Sequence, residues 1–159
     1  MTKPDKAGKL GGMTTRSPKK LSVLYADYSD RNIKAVQTAL EPLHLAAFHA
    51  SDDRDAIIEL TRKHRPDLIL IGLYLDGIRG ISTIRDLRQS ASDADPFCNQ
   101  VPVLLGAPKL DRRAMRDAVE AGIEGVFRQP VDADRLRKIV QTVIKKPRRF
   151  VFEGNYFGP

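Results

Sequence analysis

Apolar residues alternate between two rhythms along this chain: short continuous aliphatic runs, and longer stretches with apolar positions three and four apart. LSVLYA (21–26) is the first such run, followed by the turn-like Asp27-Tyr28-Ser29-Asp30. Ser29 or Asp30 suits the cap of a helix whose apolar face is Ile33, Val36 and Leu40, and Pro42 ends it. AAFHA (46–50) predicts a weaker strand, and Ser51-Asp52-Asp53 opens a second helix with Ile57 and Leu60 inward. Arg65-Pro66-Asp67 punctuates the chain before DLILI (67–71), the strongest strand signal. Continuous aliphatic character without alternation fits a parallel strand buried on both faces.

Gly72 to Gly80 reads as a turn with three glycines, followed by a helix from about Ile81 to Arg88 with Ile81, Ile84 and Leu87 on one face. SASDADPFCNQ (90–100) reads as a polar loop, and VPVLL (101–105) as another buried strand. A helix over 110–121 places Leu110, Ala114, Met115 and Ala118 together and closes at Ala121-Gly122 with a left-handed glycine. GVF (125–127) predicts a short strand, Pro130 breaks the chain, and 133–145 is a helix with Leu136, Ile139, Val140 and Val143 inward. Five strands alternating with five helices predict an α/β fold, a doubly wound five-stranded parallel sheet with helices on its faces.

The 159 residues suit one domain with short tails, and 42% hydrophobic against 30% charged residues excludes wholesale disorder. No apolar run approaches the roughly 20 residues that span a bilayer, and the leader lacks an apolar core of the secretory kind, so the expectation is a cytoplasmic protein with no membrane partner. The net charge of +7 sits in the tails. Residues 1–20, a flexible basic leader, carry six basic side chains and one acid; residues 145–159 carry four and one; 21–144 carry 17 basic against 18 acidic. A nucleic-acid partner is therefore disfavoured, since the predicted core presents no net basic surface.

From Leu21 to about Lys146 the chain resembles a response-regulator receiver domain of the CheY-like, flavodoxin-type fold. VLYADYSD, RPDLILIGLYLDGIRG, VPVLLGAP and AGIEGVFRQPV carry the resemblance. In such a fold the crevice lies at the carboxyl ends of the strands. The resemblance implies a phosphoryl-transfer site there: an acidic pair holding Mg²⁺, an aspartate nucleophile, a hydroxyl and a lysine that neutralise the phosphoryl charge. At the corresponding positions this sequence has Gly72 for the nucleophile, Asp27 followed by Tyr28 for the acidic pair, Ala107 for the hydroxyl and Gln129 for the lysine. The aromatic switch position reads Val126, and Asp76 replaces a proline in the third-strand turn. The resulting expectation is a degenerate receiver that needs neither metal nor other cofactor, performs no catalysis and signals independently of phosphorylation. Asp27 is expected to survive as a structural cap of its turn.

Among the remaining chemistry-bearing residues, Asp76 is a poor substitute phosphoacceptor without the hydroxyl and lysine. His44, His49 and His64 are scattered over separate elements, and Cys98 reads as an exposed or half-buried thiol. Arg112, Arg113 and Arg116 on the fourth helix and Arg135, Arg137 and Lys138 on the fifth read either as solvated faces, with Asp111, Asp117 and Glu120 as i,i+3 or i,i+4 partners, or as a docking surface. In receivers the face of the fourth helix, fifth strand and fifth helix is the usual one for dimers and protein partners. Residues 147–159 concentrate Phe150, Phe152, Tyr156 and Phe157, an aromatic density that fits a docking tail better than a linker. The leading expectation is a stand-alone adaptor of two-component signal transduction with a protein partner, since no output domain follows residue 146. Two other readings stay open: an arginine-mediated sensor of a phosphate-bearing second messenger such as a cyclic dinucleotide, and a nucleic-acid accessory using the basic tails.

Overall fold

A computed structural model describes residues 20–75 and 78–145, with Leu75 and Ile78 by backbone alone. The elements follow one another as β1 (Ser22–Ala26), α1 (Asp30–Leu40), a 3₁₀ turn (Glu41–Leu43), β2 (Ala47–Ser51), α2 (Arg54–His64) and β3 (Leu68–Gly72). A small hairpin of β4 (Tyr74–Leu75) and β5 (Ile78–Arg79) comes next, then α3 (Gly80–Gln89) and α4 (Phe97–Gln100). The chain closes with β6 (Val103–Ala107), α5 (Arg112–Ala121), β7 (Gly125–Arg128) and α6 (Ala133–Lys145).

Five strands form one parallel sheet in the order β2-β1-β3-β6-β7, the doubly wound arrangement the alternation predicts. Side chains alternate across it and build two cores. Leu24, Ile69, Ile71, Val103, Leu105 and Val126 face α2, α3 and α5, whereas Val23, Tyr25, Leu70, Leu104 and Phe127 face α1 and α6. The two cores account for the unbroken apolar strands, because a sheet covered on both sides has no solvent face to mark with polar residues. Gly106 is matched to its neighbour in β7: a Cβ there would lie 2.4 Å from Cζ of Phe127, so the ring fills the volume a side chain at 106 would take.

Caps fall where short polar side chains meet free amides. Ser29 accepts from the Asn32 amide, Asp53 from that of Asp55 and Asp111 from that of Ala114, and Gly122 ends α5 at φ 105°.

The described residues contain six α-helices rather than five, because the segment 90–100 is not only a loop. Phe97–Gln100 forms α4 and buries Cys98, which exposes 2% of its surface, against the expectation of an accessible thiol. The cause is a set of distant partners. Arg65 forks onto Asp95 at 2.8 Å through both nitrogens and lies 4.9 Å over the Phe97 ring. Arg88 donates to the carbonyls of Cys98 and Val101 at 3.2 and 2.6 Å and to that of Gly122 at 2.5 Å. It also meets Glu124, whose carboxylate accepts the Val103 amide at 2.8 Å. One largely covered guanidinium thus ties α3 to α4, β6 and the turn before β7.

Nor are the histidines all scattered. His44 ends the 3₁₀ turn at φ 52°, but His49 on β2 and His64 on α2 stack with ring centroids 4.0 Å apart and planes at 20°. Desolvation against the sheet, then His49 and Lys63, hold His64 below its ordinary pKa. The unfolded chain therefore binds more protons than the folded one as pH falls through the ordinary histidine range. Stability should drop between about pH 7.5 and about pH 5.5, and His64→Gln should flatten that part of the slope, measured as the urea midpoint at each pH.

Candidate functional site

The crevice at the carboxyl ends of β1 and β3 is set by register. Ala26 pairs with Ile71, so Asp27 leaves β1 beside Gly72 at the end of β3. Asp27 exposes 1% of its surface, and its carboxylate lies where a side chain at 72 would go: a Cβ on Gly72 would stand 2.7 Å from Oδ2. A buried carboxylate must be met by donors, and four reach it. The Tyr25 hydroxyl donates to Oδ2 at 2.5 Å, Gln129 Nε2 at 2.9 Å and Asn32 Nδ2 at 3.2 Å, while the Ser29 amide donates to Oδ1 at 3.0 Å. Gln129 also donates to the Tyr25 oxygen at 2.8 Å, closing a triangle of side chains from β1 and the loop after β7.

Local structure explains each member. Tyr25 and Asp27 are two residues apart on an extended segment, so both point to the α1 side. Asn32 sits one turn into α1, whose cap at Ser29 holds the amide that meets Oδ1. Gln129 follows β7, and its amide donates to the Ala107 carbonyl at 2.9 Å. Burial first, then the Asp27 charge and hydrogen bond, push the Tyr25 phenol far above its ordinary pKa, with the Gln129 bond opposing; Tyr25 therefore stays protonated and donating.

The structure brings together Asp27, Gly72 and Gln129, positions named through the receiver resemblance, and ends β6 with the fully buried Ala107. Tyr28 is 61% exposed and is not among the four donors to the carboxylate. Val126 is buried in the core on the α5 side. Asp76 lies outside the described residues, as do Phe150, Phe152, Tyr156 and Phe157. Arg112, Arg113, Arg116 and Arg135 are exposed, whereas Arg137 is turned inward, bonding the Ala39 carbonyl at 2.8 Å and pairing with Asp134. Sequence reasoning passed over Tyr25 and Asn32. The available signal was a lone phenol in an aliphatic strand, two residues from a carboxylate.

The residues present do not fit the Mg²⁺ that the resemblance implies. Both Asp27 oxygens are committed to donors, Tyr28 contributes no carboxylate, and the described residues contain no group of three His, Cys, Asp or Glu side chains able to hold a metal.

Residues 23–141 match the response regulator receiver domain, and the chain belongs to that family. It is 27% identical over 129 residues to the transcriptional regulatory protein AfsQ1 of Streptomyces coelicolor, covering 78% of this chain and 53% of that protein. Chemotaxis protein CheY-3 of Vibrio cholerae is 21% identical over 128 residues, covering 80% of this chain and 95% of that one. The chain thus spans about half the length of AfsQ1 but nearly all of CheY-3. Among solved structures, the chemotaxis response regulator CheY4 of Vibrio cholerae superimposes with a TM-score of 0.69 at 18% identity, covering 79% of this chain and 99% of that one. The fold is that of the receivers, domains that act in signalling through partner proteins. Among the described residues no helix is long and apolar enough to cross a membrane.

Removing one donor from a buried carboxylate leaves its charge underserved. Tyr25→Phe should cost about 1.5–3 kcal/mol in chemical denaturation, whereas Tyr28→Phe in solvent should stay within about 0.5 kcal/mol.

Proposed function

We propose that this protein is a degenerate receiver, a non-catalytic signalling adaptor that works through protein contacts without being phosphorylated. One observation carries the reading: the Asp27 carboxylate fills the space over Gly72 and is held there by four donors. A phosphoacceptor at 72 would need that same space, and Gly72 offers no nucleophilic oxygen. Ala107 offers no hydroxyl, and Gln129 carries no charge to offset a phosphoryl group, which is the larger part of catalysis in phosphoryl transfer. A small shift that moves the carboxylate would strand a buried charge, so the site is built to hold one arrangement rather than to switch.

Exposed Arg112, Arg113 and Arg116 on α5 and Arg135 on α6 support the face of α5, β7 and α6 as the partner surface. The aromatic tail of 147–159, outside the described residues, is proposed as a second source of contact, either on the domain or on a partner. Its deletion should lower the melting temperature, change the mass in solution or abolish partner capture.

Incubating the protein with a small phosphodonor and Mg²⁺ should leave its intact mass unchanged. A stoichiometric adduct of one phosphoryl group would overturn the reading, and peptide mapping would test Asp76. Gly72→Asp alone should also fail to label. It places a second carboxylate against Asp27 with no lysine between them, a like-charge contact that should lower stability by about 1–3 kcal/mol in urea denaturation.

A further inference from the structure

All five strands are parallel, so the loops leaving their carboxyl ends form one crest, in the lateral order of the sheet. The charges along that crest are not mixed evenly. At the β2 end Asp52, Asp53 and Asp55 are exposed, and the intervening Arg54 is drawn away to Asp86 on α3 at 2.7 Å. After β6, Lys109, Arg112 and Arg113 are exposed around Asp111, which caps α5 through Oδ1 as Asp53 caps α2, and the loop keeps a net positive charge. Between the two loops, after β1 and β3, stand Tyr28 and Tyr74, 61% and 55% exposed, two of the three large apolar side chains so exposed among the described residues. Asp30 and Arg31 beside Tyr28 cancel, and in the sequence of the loop after β3 the charges of Asp76 and Arg79 cancel as well.

Over the loops after β2, β1, β3 and β6, acid, tyrosine, tyrosine, base is a self-complementary order; the loop after β7, with Arg128 and Asp132 exposed, lies outside that overlap. A two-fold axis between β1 and β3 brings Tyr28 of one copy to Tyr74 of the other and the β2 loop of one onto the β6 loop of the other, twice. Strands are spaced about 4.8 Å apart, so the acidic and basic loops lie roughly 14 Å apart on each copy and match across the axis. Aromatic side chains at the centre with charges at the rim are the usual composition of a specific interface. Local stability does not account for the basic end: Arg112 and Arg113 occupy the first turn of α5, where the helix dipole disfavours cations.

We infer that this chain associates with a second copy of itself crest to crest, the acidic loop after β2 of each copy meeting the basic loop after β6 of the other. The interface shares Arg112 and Arg113 with the face of α5, β7 and α6 and leaves Arg116 and Arg135 of that face open for another partner. It is independent of whether the site beneath it can be phosphorylated.

Charge reversal tests it on the full chain. Asp52→Lys with Asp55→Lys makes both ends basic; Arg112→Glu with Arg113→Glu makes both acidic. By sedimentation equilibrium at low ionic strength, the wild type should dimerise and each variant alone should lose at least about tenfold in affinity. An equimolar mixture of the two should recover a dimer containing one of each, because every acidic loop again meets a basic one. Tyr28→Ser, which changes no charge, should also weaken the wild-type dimer. A wild type monomeric up to about 1 mM, reversed variants that still self-associate, or a mixture that stays monomeric would each overturn the proposal. Circular dichroism establishes that each variant is folded; should Asp55→Lys unfold α2, Asp52→Lys alone provides the same comparison.

Discussion

A carboxylate buried to 1% exposure, with no cation against it among the described residues, is the constraint around which this domain is arranged. Asp27 keeps its place only because donors converge on it from three parts of the chain: β1 supplies Tyr25, the start of α1 supplies Ser29 and Asn32, and the loop after β7 supplies Gln129. Gly72 supplies the room, having no Cβ to collide with Oδ2. The network therefore links the two central strands to the far edge of the sheet. Weakening any member exposes the others to the cost of a poorly solvated charge.

The same logic of matched gaps and fillers runs through the rest of the molecule. Phe127 takes the volume that Gly106 leaves free, and Arg88 serves carbonyls that would otherwise end helices and turns unpaired. These are long-range pairings between rigid elements, so the sheet holds its crest loops in a fixed lateral order. On the reading proposed for this protein, that rigidity replaces a switch: the crevice holds a settled polar network, and recognition is left to exposed residues around it.

Much of the architecture was legible before any coordinates. Continuous aliphatic runs at 67–71 and 101–105 marked buried parallel strands, because side chains facing two cores leave no polar alternation. Ser29, Asp53 and Gly122 marked helix ends through local chemistry that needs no tertiary context. The blocks around Asp27, Gly72 and Gln129 marked the crevice, since the carboxyl ends of adjacent strands must meet there.

What the sequence could not determine are the contacts made across the sheet and between layers. Nothing local to Tyr25 says that its hydroxyl also meets Gln129, a residue 104 positions away. Cys98 reads as loop because its burial comes from Phe97 and from the reach of Arg65 and Arg88, and His49 and His64 read as unrelated because only the packing of α2 against β2 brings their rings to 4.0 Å. The polarity of the crest is of the same kind. Each charged loop is ordinary by itself, and only the strand order sets acid after β2, base after β6 and two tyrosines between. Periodicity and capping are properties of a few neighbouring residues and so are written in the sequence. Complementarity belongs to surfaces that exist only once the chain has packed.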